Sequence, residues 1–337
     1  ATPSSISSSS NTYTLGLSLS GTPNGSETIT VVPSSSTAIY DAVGNAASTS
    51  QSNNTVTLND KTAPTLSSVG IASNNSTTTL AKVADVVTLT FTASETIATP
   101  VVTFQSGGAA IQDNSITYVN TSGNTWTAAY TTADNDTAGS VTYSIAFSDS
   151  AGNAGSAVTS GGGSVTGDYT APTVSSVSTT ADNQSLVSIT DNITVTFSES
   201  MEPSYITTTT SDYTCRNETI KVSSDNFSTC VRMSSEPVSS NSNKTFTLDP
   251  YDNLTVGTTY LTRVTTGVKD TAGNAMGSQY ETSSGFTTDN SSMTVSNSGL
   301  ADGTTYSNGT TYYWKVVASD PKGGSAQSET WSFTVQE

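Results

Sequence analysis

The sequence contains no histidine, and its 10 lysines and arginines face 27 aspartates and glutamates, a formal net charge of −17. Without His, neither a Ser-His-Asp nor a Cys-His catalytic site can be built, and no imidazole is available to join thiolates around zinc. The acidic balance repels phosphate backbones and anionic membrane surfaces, so neither nucleic acid nor membrane insertion is expected, and divalent cations are the natural counter-charge. No apolar run approaches the ~18 residues that span a bilayer, and no basic-then-apolar signal segment opens the chain. A start at Ala1 without Met suits a processed, exported form or a fragment. Only two cysteines occur, Cys215 and Cys230. A disulfide closing one short loop is the economical reading, with two unpaired buried thiols as the alternative. Scarce Cys, absent His and abundant Ser, Thr, Asn and Gly suit an oxidising, extracellular setting.

Helix signals are nearly absent as well. Ser and Thr make up more than a third of the 337 residues, charged residues 11% and hydrophobic residues 33%. So polar a chain invites a disordered reading, but its apolar residues recur in alternating runs separated by turn residues, which disorder does not require. Val86 to Thr92 and Ile193 to Phe197 alternate apolar with hydroxyl side chains at period two, as half-buried strands do, and each leads into Ser-Glu, at Ser94-Glu95 and Ser198-Glu199. Further strands are expected at Val101 to Phe104, Thr125 to Thr131, Val141 to Phe147, Phe246 to Leu248 and Tyr260 to Val264. About seven short strands per unit is the pattern of an Ig-like sandwich.

A motif Asp-x-x-Gly-Asn occurs at Asp41 to Asn45, Asp149 to Asn153 and Asp270 to Asn274, and each Asp is followed 19 residues later by another, Asp60, Asp168 and Asp289. Two of these trailing acids open the near-identical linkers Asp60-Lys-Thr-Ala-Pro-Thr65 and Asp168-Tyr-Thr-Ala-Pro-Thr173. The spacing divides the chain into a partial Ig-like domain at 1–62 that holds only later strands, complete domains at 63–170 and 171–289, and a partial domain at 290–337. The partial ends are expected to form strands at Tyr13 to Leu19, Thr28 to Val32, Thr55 to Leu58, Met293 to Val295, Thr311 to Ala318 and Thr330 to Val335.

Phe91-Thr-Ala-Ser-Glu95, Asp149-Ser-Ala-Gly-Asn153 and Asp168-Tyr-Thr-Ala-Pro-Thr173 resemble the tandem bacterial Ig-like repeats of large secreted adhesins. Residues 171–289, with Leu254-Thr-Val-Gly-Thr-Thr-Tyr260 and Val268-Lys-Asp-Thr-Ala-Gly-Asn274, are similar to Ig-like repeats of S-layer and other surface proteins. The tail, Leu300-Ala-Asp-Gly-Thr-Thr-Tyr306 followed by Tyr312 to Ala318, resembles the second half of a fibronectin type III domain. The resemblance implies an all-β rod of tandem sandwiches, with partial sandwiches at both termini, on a bacterial cell surface; repeats of this kind are spacers in many unrelated proteins and name no ligand.

In such a sandwich the connections after the second and sixth strands share the pole at which the chain enters. Ser-Glu and Asp-x-x-Gly-Asn occupy those connections. A strand of about ten residues, at roughly 3.3 Å each, separates Asn45 from Asp60, so Asp41 and Asp60 lie at opposite ends of one unit. Asp60 should instead meet Glu95, Asp149 and Asn153 of the next unit, and Asp168 should meet Glu199, Asp270 and Asn274. Such all-oxygen sets suit Ca²⁺, with roughly six- to eight-fold coordination, better than Mg²⁺. One Ca²⁺ per junction, stiffening the linker, is expected, and calcium-stiffened junctions are also what the resemblance to adhesin repeats implies. The competing reading is a plain turn, with Gly at positive φ and Asp as an Asx cap. By analogy Asp289 should face Asp320, and any partner of Asp41 belongs to another molecule. Asp134-Asn-Asp-Thr-Ala-Gly139 fails as an EF-hand loop and reads as a hairpin turn.

No enzyme is expected, because the acids follow the repeat rather than converge in one cleft. Trp126, Trp314 and Trp331 fall on strand patterns and are expected in cores. Fourteen Asn-x-Ser/Thr sequons make glycans possible partners. The expected role is a non-enzymatic extracellular structural protein that assembles head to tail with itself into a fibril. Trp314, Trp331 and Phe333 would pack on Leu15, Leu17 and Leu19 of the next copy and complete both partial sandwiches. The alternative is the stalk of a larger surface adhesin whose ligand-binding module lies elsewhere, the chain ends then being arbitrary. The cysteine-bearing insertion, Ser211 to Met233, is the best candidate for a side contact, with a stabilised hairpin as the equal alternative.

Overall fold

The computed structural model describes residues 3–113, 115–179, 186–289, 294–296, 307, 309–319 and 325–335. The chain divides into two compact units, residues 1–170 and 171–337. In the first, strands β1 (Ser5–Ser9), β2 (Thr12–Gly16), β3 (Thr28–Thr30) and β4 (Thr55–Thr57) precede a sandwich. The sandwich is built from β5 (Leu66–Ser73), β6 (Leu80–Ala81), β7 (Val86–Ala93), β8 (Val101–Ser106), β9 (Ala109–Ala110), β10 (Thr117–Ser122), β11 (Thr125–Thr131), β12 (Gly139–Ala146) and β13 (Thr166–Gly167). Its sheets run β10-β11-β7-β5 and β6-β13-β12-β8-β9. Taking β5, β7, β8, β10, β11, β12 and β13 as Ig strands A, B, C, D, E, F and G, these are the ABED and CFG sheets of an Ig sandwich.

Alternation places the core. Along β7, Val87, Leu89, Phe91 and Ala93 are buried while Thr88, Thr90 and Thr92 between them point outward. Val102 and Phe104 of β8, Ala128 and Tyr130 of β11, and Val141, Tyr143 and Ile145 of β12 close the core from both sheets. Phe104 meets Tyr130 with ring centroids 4.8 Å apart. Each such side chain contributes on the order of 1.5–3 kcal/mol of hydrophobic stabilisation. Trp126 is half-buried against this cluster, as expected.

The second unit repeats the architecture with β14 (Val174–Thr179), β15 (Ile193–Phe197), β16 (Ile220–Ser223), β17 (Val238–Ser240), β18 (Thr245–Leu248), β19 (Thr259–Val264), β20 (Tyr280–Glu281) and β21 (Phe286–Thr287). The sheets are β14-β15-β18-β17 and β16-β19-β20, with β21 also on β19, which are again ABED and CFG. Ile193, Val195, Phe197, Ile220, Val222, Phe246 and Leu248 form the core. The Cys215–Cys230 disulfide is present and fastens the insertion before β16 to the loop after it. The remaining strands are β22 (Thr294–Ser296), β23 (Thr311–Trp314), β24 (Val317–Ser319), β25 (Ser325–Gln327) and β26 (Trp331–Thr334).

Several expected strands are shorter or differently connected. The strand expected to reach Leu19 ends at Gly16, so Leu17 and Leu19 lie beyond it, and that expected to reach Val32 ends at Thr30. The run from Thr311 to Ala318 is two strands: β23 pairs β26, whereas β24 pairs β22 and β25. Asp134 to Gly139 is a turn but no hairpin, since β11 and β12 on either side belong to different sheets. There the Asp136 carboxylate accepts the Gln112 and Ala133 N–H groups, which ties the crossover down. Trp314 and Trp331 are not core residues: they stack on each other with centroids 4.5 Å apart and remain 44% and 43% exposed.

Tyr312 occupies the place of Tyr260, and Tyr306 lies outside the described residues. The Thr255 N–H donates to Tyr260 Oη, and the Ser307 N–H to Tyr312 Oη, both at 2.9 Å and both five residues upstream. Tyr260 stacks on Phe286 at 5.5 Å and Tyr312 on Phe333 at 5.6 Å. These are the tyrosine corners of two Ig-type F strands.

Candidate metal centre

Three copies of one turn present the motif acids. In each, the Asn N–H donates to Asp Oδ1 at 2.8 Å, the Asn Nδ2 donates to Asp Oδ2 at 2.7–2.8 Å, and the Asp N–H donates back to the Asn carbonyl at 3.0–3.1 Å: Asp41 with Asn45, Asp149 with Asn153 and Asp270 with Asn274. Gly44, Gly152 and Gly273 sit at φ +91, +89 and +90°, a conformation that costs a side-chain-bearing residue but not glycine. Short bridges close the turns, Tyr40 to Ala46, Ser148 to Ala154 and Lys269 to Ala275. Asn153 and Asn274, expected as ligands, therefore spend their amide nitrogens in orienting the acids. Asp149 and Asp270 are buried, at 3% and 1% exposure, while Asp41 is exposed.

The Ser-Glu partner is fixed by a second device that the sequence did not reveal. The Thr65 N–H donates to Ser94 Oγ at 3.0 Å and the Ser94 N–H to the Thr65 carbonyl at 2.8 Å, so the far end of the Asp60 linker is stitched to the residue beside Glu95. Ile97 bridges Asp149, which brings the B–C and F–G connections together. The start of the linker is pinned as well: Asp60 Oδ1 accepts the Thr62 N–H at 2.8 Å, and the Pro23 carbonyl accepts Lys61 N–H and Thr62 Oγ1. Ser94 recurs as Ser198, and that repetition was the signal available in the sequence. In the second sandwich the Thr173 N–H donates to Ser198 Oγ at 3.0 Å, and Met201 bridges Asp270 as Ile97 bridges Asp149.

Asp60, Glu95 and Asp149 each bring a carboxylate oxygen within 4.8 Å of the other two. Oxygens bound to one Ca²⁺ at about 2.3–2.6 Å are themselves no more than about 5 Å apart, so the three fit around one such ion. Their charges also oppose one another. Burial first, then the Asp60 and Asp149 charges, push the Glu95 carboxyl up. For Asp149 burial is the largest influence and acts upward, but the Asn153 side chain and the backbone N–H groups of Asn153, Ala151 and Gly152 together hold it down. One acid is thus kept ionised beside another that resists ionisation.

Asp168 belongs to the first unit, where its Oδ1 accepts the Thr170 N–H as Asp60 accepts Thr62. Glu199 and Asp270 occupy in the second sandwich the places of Glu95 and Asp149 in the first. Asp289 in the second unit donates its N–H to the Val187 carbonyl at 2.8 Å, and Asp320 lies outside the described residues.

No curated protein matches the chain. Among solved structures it is similar to the I-band fragment I67–I69 of titin, at 13% identity over 77% of this chain and 76% of that one, with a TM-score of 0.36. It is also similar to the N-terminal part of the bacterial S-layer protein SbsC, at 19% identity over 50% of this chain and 45% of that one, with a TM-score of 0.28. The family model for the bacterial Ig-like domain matches residues 168–288, the second sandwich, whose ABED and CFG sheets are those of an Ig-like fold.

Proposed function

We propose that the chain is a non-enzymatic, exported structural protein of the bacterial surface, a tandem of Ig-like sandwiches whose linkers are stiffened by Ca²⁺. The coarser part, a structural or adhesin-like role, follows from the Ig-like sandwiches and the bacterial Ig-like family match. No helix among the described residues is long and apolar enough to cross a membrane. The calcium reading is carried by one observation: the linker acid Asp60 lies with Glu95 and Asp149, acids of the sandwich that follows it. A cation held by all three would lock linker to sandwich and relieve their mutual repulsion. The sequence repeats the set as Asp168, Glu199 and Asp270. Thermal melting in calcium and in chelator tests the reading: a higher melting temperature with calcium supports it, and identical curves refute it.

Self-assembly completes the proposal. In β1 and β2, Ile6, Tyr13 and Leu15 share one face and hydroxyl side chains fill the other. In β23 and β26, Tyr312, Trp314, Trp331 and Phe333 share a face. The second sandwich buries the counterparts of two of these, Tyr260 and Phe286, whereas Phe333 stays 39% exposed. Two-stranded ribbons are marginal alone, and residues 1–26 carry no acid, so a second copy can approach there despite the net charge. Head-to-tail packing of these ribbons into a fibril is the arrangement that covers both. Glycans on exposed sequon residues such as Asn120 and Asn217 would leave this packing free, and intact mass tests for them.

A further inference from the structure

We infer that Tyr169 is a latch that fastens the start of the second linker to the first unit, so that residues 166–170 are held as part of that unit without a cation. The two linkers are near-identical, Asp60-Lys-Thr-Ala-Pro and Asp168-Tyr-Thr-Ala-Pro, and differ only at the residue after the acid. Both acids make the same Asx turn, to Thr62 and to Thr170. The residue after each acid is tied down differently, by its backbone at Lys61 and by its side chain at Tyr169.

Tyr169 turns back onto its own unit. Its hydroxyl lies 3.1 Å from Ser106 Oγ, at the end of β8. Ser106 Oγ donates its single proton to the Thr137 carbonyl at 2.8 Å, so Tyr169 Oη is the donor in the bond to Ser106. Ser106 is 1% exposed, so the bond is made in a dry site, and losing it strips Ser106 Oγ of the bond it accepts while its own bond to Thr137 remains. Room for the ring comes from Gly167: a Cβ there would collide with the Tyr169 hydroxyl and ring. The Tyr130 phenol stands close by, pushed up by burial first and then by Tyr169 and Asp136. Burial likewise pushes Tyr169 up.

The backbone around the latch is bonded on both sides. Thr166 and Gly167 pair with Ser140 and Gly139 of β12 and with Leu80 and Ala81 of β6, and the Asp168 N–H donates to the Ala81 carbonyl at 2.8 Å. The first linker has no such ring: there Lys61 N–H and Thr62 Oγ1 reach the Pro23 carbonyl instead, at 2.9 and 3.0 Å.

Hydrogen exchange of the full chain in chelator tests the latch independently of calcium. The peptide covering 166–170 is expected to exchange slowly in the wild type. In Tyr169→Lys, which copies the first linker, it should exchange roughly ten-fold faster or more while residues 141–146 keep their protection. Tyr169→Phe keeps the ring and loses the hydroxyl bond, and should speed exchange by a few-fold. Should Tyr169→Lys loosen residues 141–146 as well, the Phe variant decides. Free exchange of 166–170 in the wild type, or unchanged exchange in a variant that stays folded, overturns the latch. A failed calcium reading would leave these rates untouched and would show instead as calcium-insensitive exchange at residues 60–65.

Discussion

Asn153 holds both oxygens of Asp149, its backbone N–H on Oδ1 at 2.8 Å and its Nδ2 on Oδ2 at 2.7 Å. One asparagine thus aims a buried carboxylate at the linker and keeps it ionised, because each bond favours the charged form. The same pairing in Asp41 and Asn45 is exposed, and among the described residues Asp41 belongs to no cluster of three acids.

Asn153→Ala should therefore lower the melting temperature of the first unit, because it removes a charge-assisted bond to a carboxylate packed into the site, whereas Asn45→Ala should lower it less. Calorimetric melting of the two variants measures the contrast. Equal effects would mean that the turn alone, and not the buried acid, sets the cost.

The raised carboxyl of Glu95 gives a pH signature. Between the ordinary value of 4.5 and its raised folded value, the folded state holds more protons than the unfolded state. In metal-free protein this contribution is complete below the unfolded value and is lost as pH rises through the folded one. Glu95→Gln should thus raise the melting temperature of the first unit at neutral pH in chelator and abolish that unit's response to calcium. Asp149 acts in the opposite sense: its lowered carboxyl stabilises above the usual value of 3.8, and that contribution is lost as pH falls through its folded value.

The disulfide joins residues 15 apart, for which loop-closure entropy gives about 3 kcal/mol. Replacing both cysteines with serine should lower the stability of the second unit by up to that amount and leave the first unit unchanged, as urea unfolding of each would report.

Trp314→Ser combined with Trp331→Ser should reduce self-association by exposing less apolar surface on the β23–β26 ribbon. Sedimentation velocity over a concentration series reads this; identical distributions would rule the ribbon out as an assembly face.

Much of the fold was legible because period-two alternation in Val86 to Thr92 and Ile193 to Phe197 needs only the sequence, and repeated motifs fixed which connections share a pole. Strand ends were less legible. Leu17 and Leu19 continue an alternation that the hairpin abandons at Gly16, and the break at Lys315 and Val316 depends on which strands pair with β23 and β24. For the site, residue type and spacing singled out Asp60, Glu95 and Asp149, but not what holds them. The Asn153 clamp lies within the local Asp-x-x-Gly-Asn motif and matches the turn reading, whereas the Thr65–Ser94 pair joins residues 29 apart, and no local pattern encodes such a pair. The exposure of Trp314 and Trp331 escaped the sequence because strand pattern tells which side chains share a face, not whether anything covers it.

Calorimetric titration of Ca²⁺ into metal-free wild type and Asp60→Asn distinguishes a calcium-locked linker from a plain turn. Binding to the wild type should be saturable, with at least one fewer ion bound by Asp60→Asn, and calcium at roughly 100-fold its Kd should stabilise the first unit by about 2.7 kcal/mol. No binding heat at any calcium concentration, or equal stoichiometry in the two proteins, would contradict the calcium-locked linker.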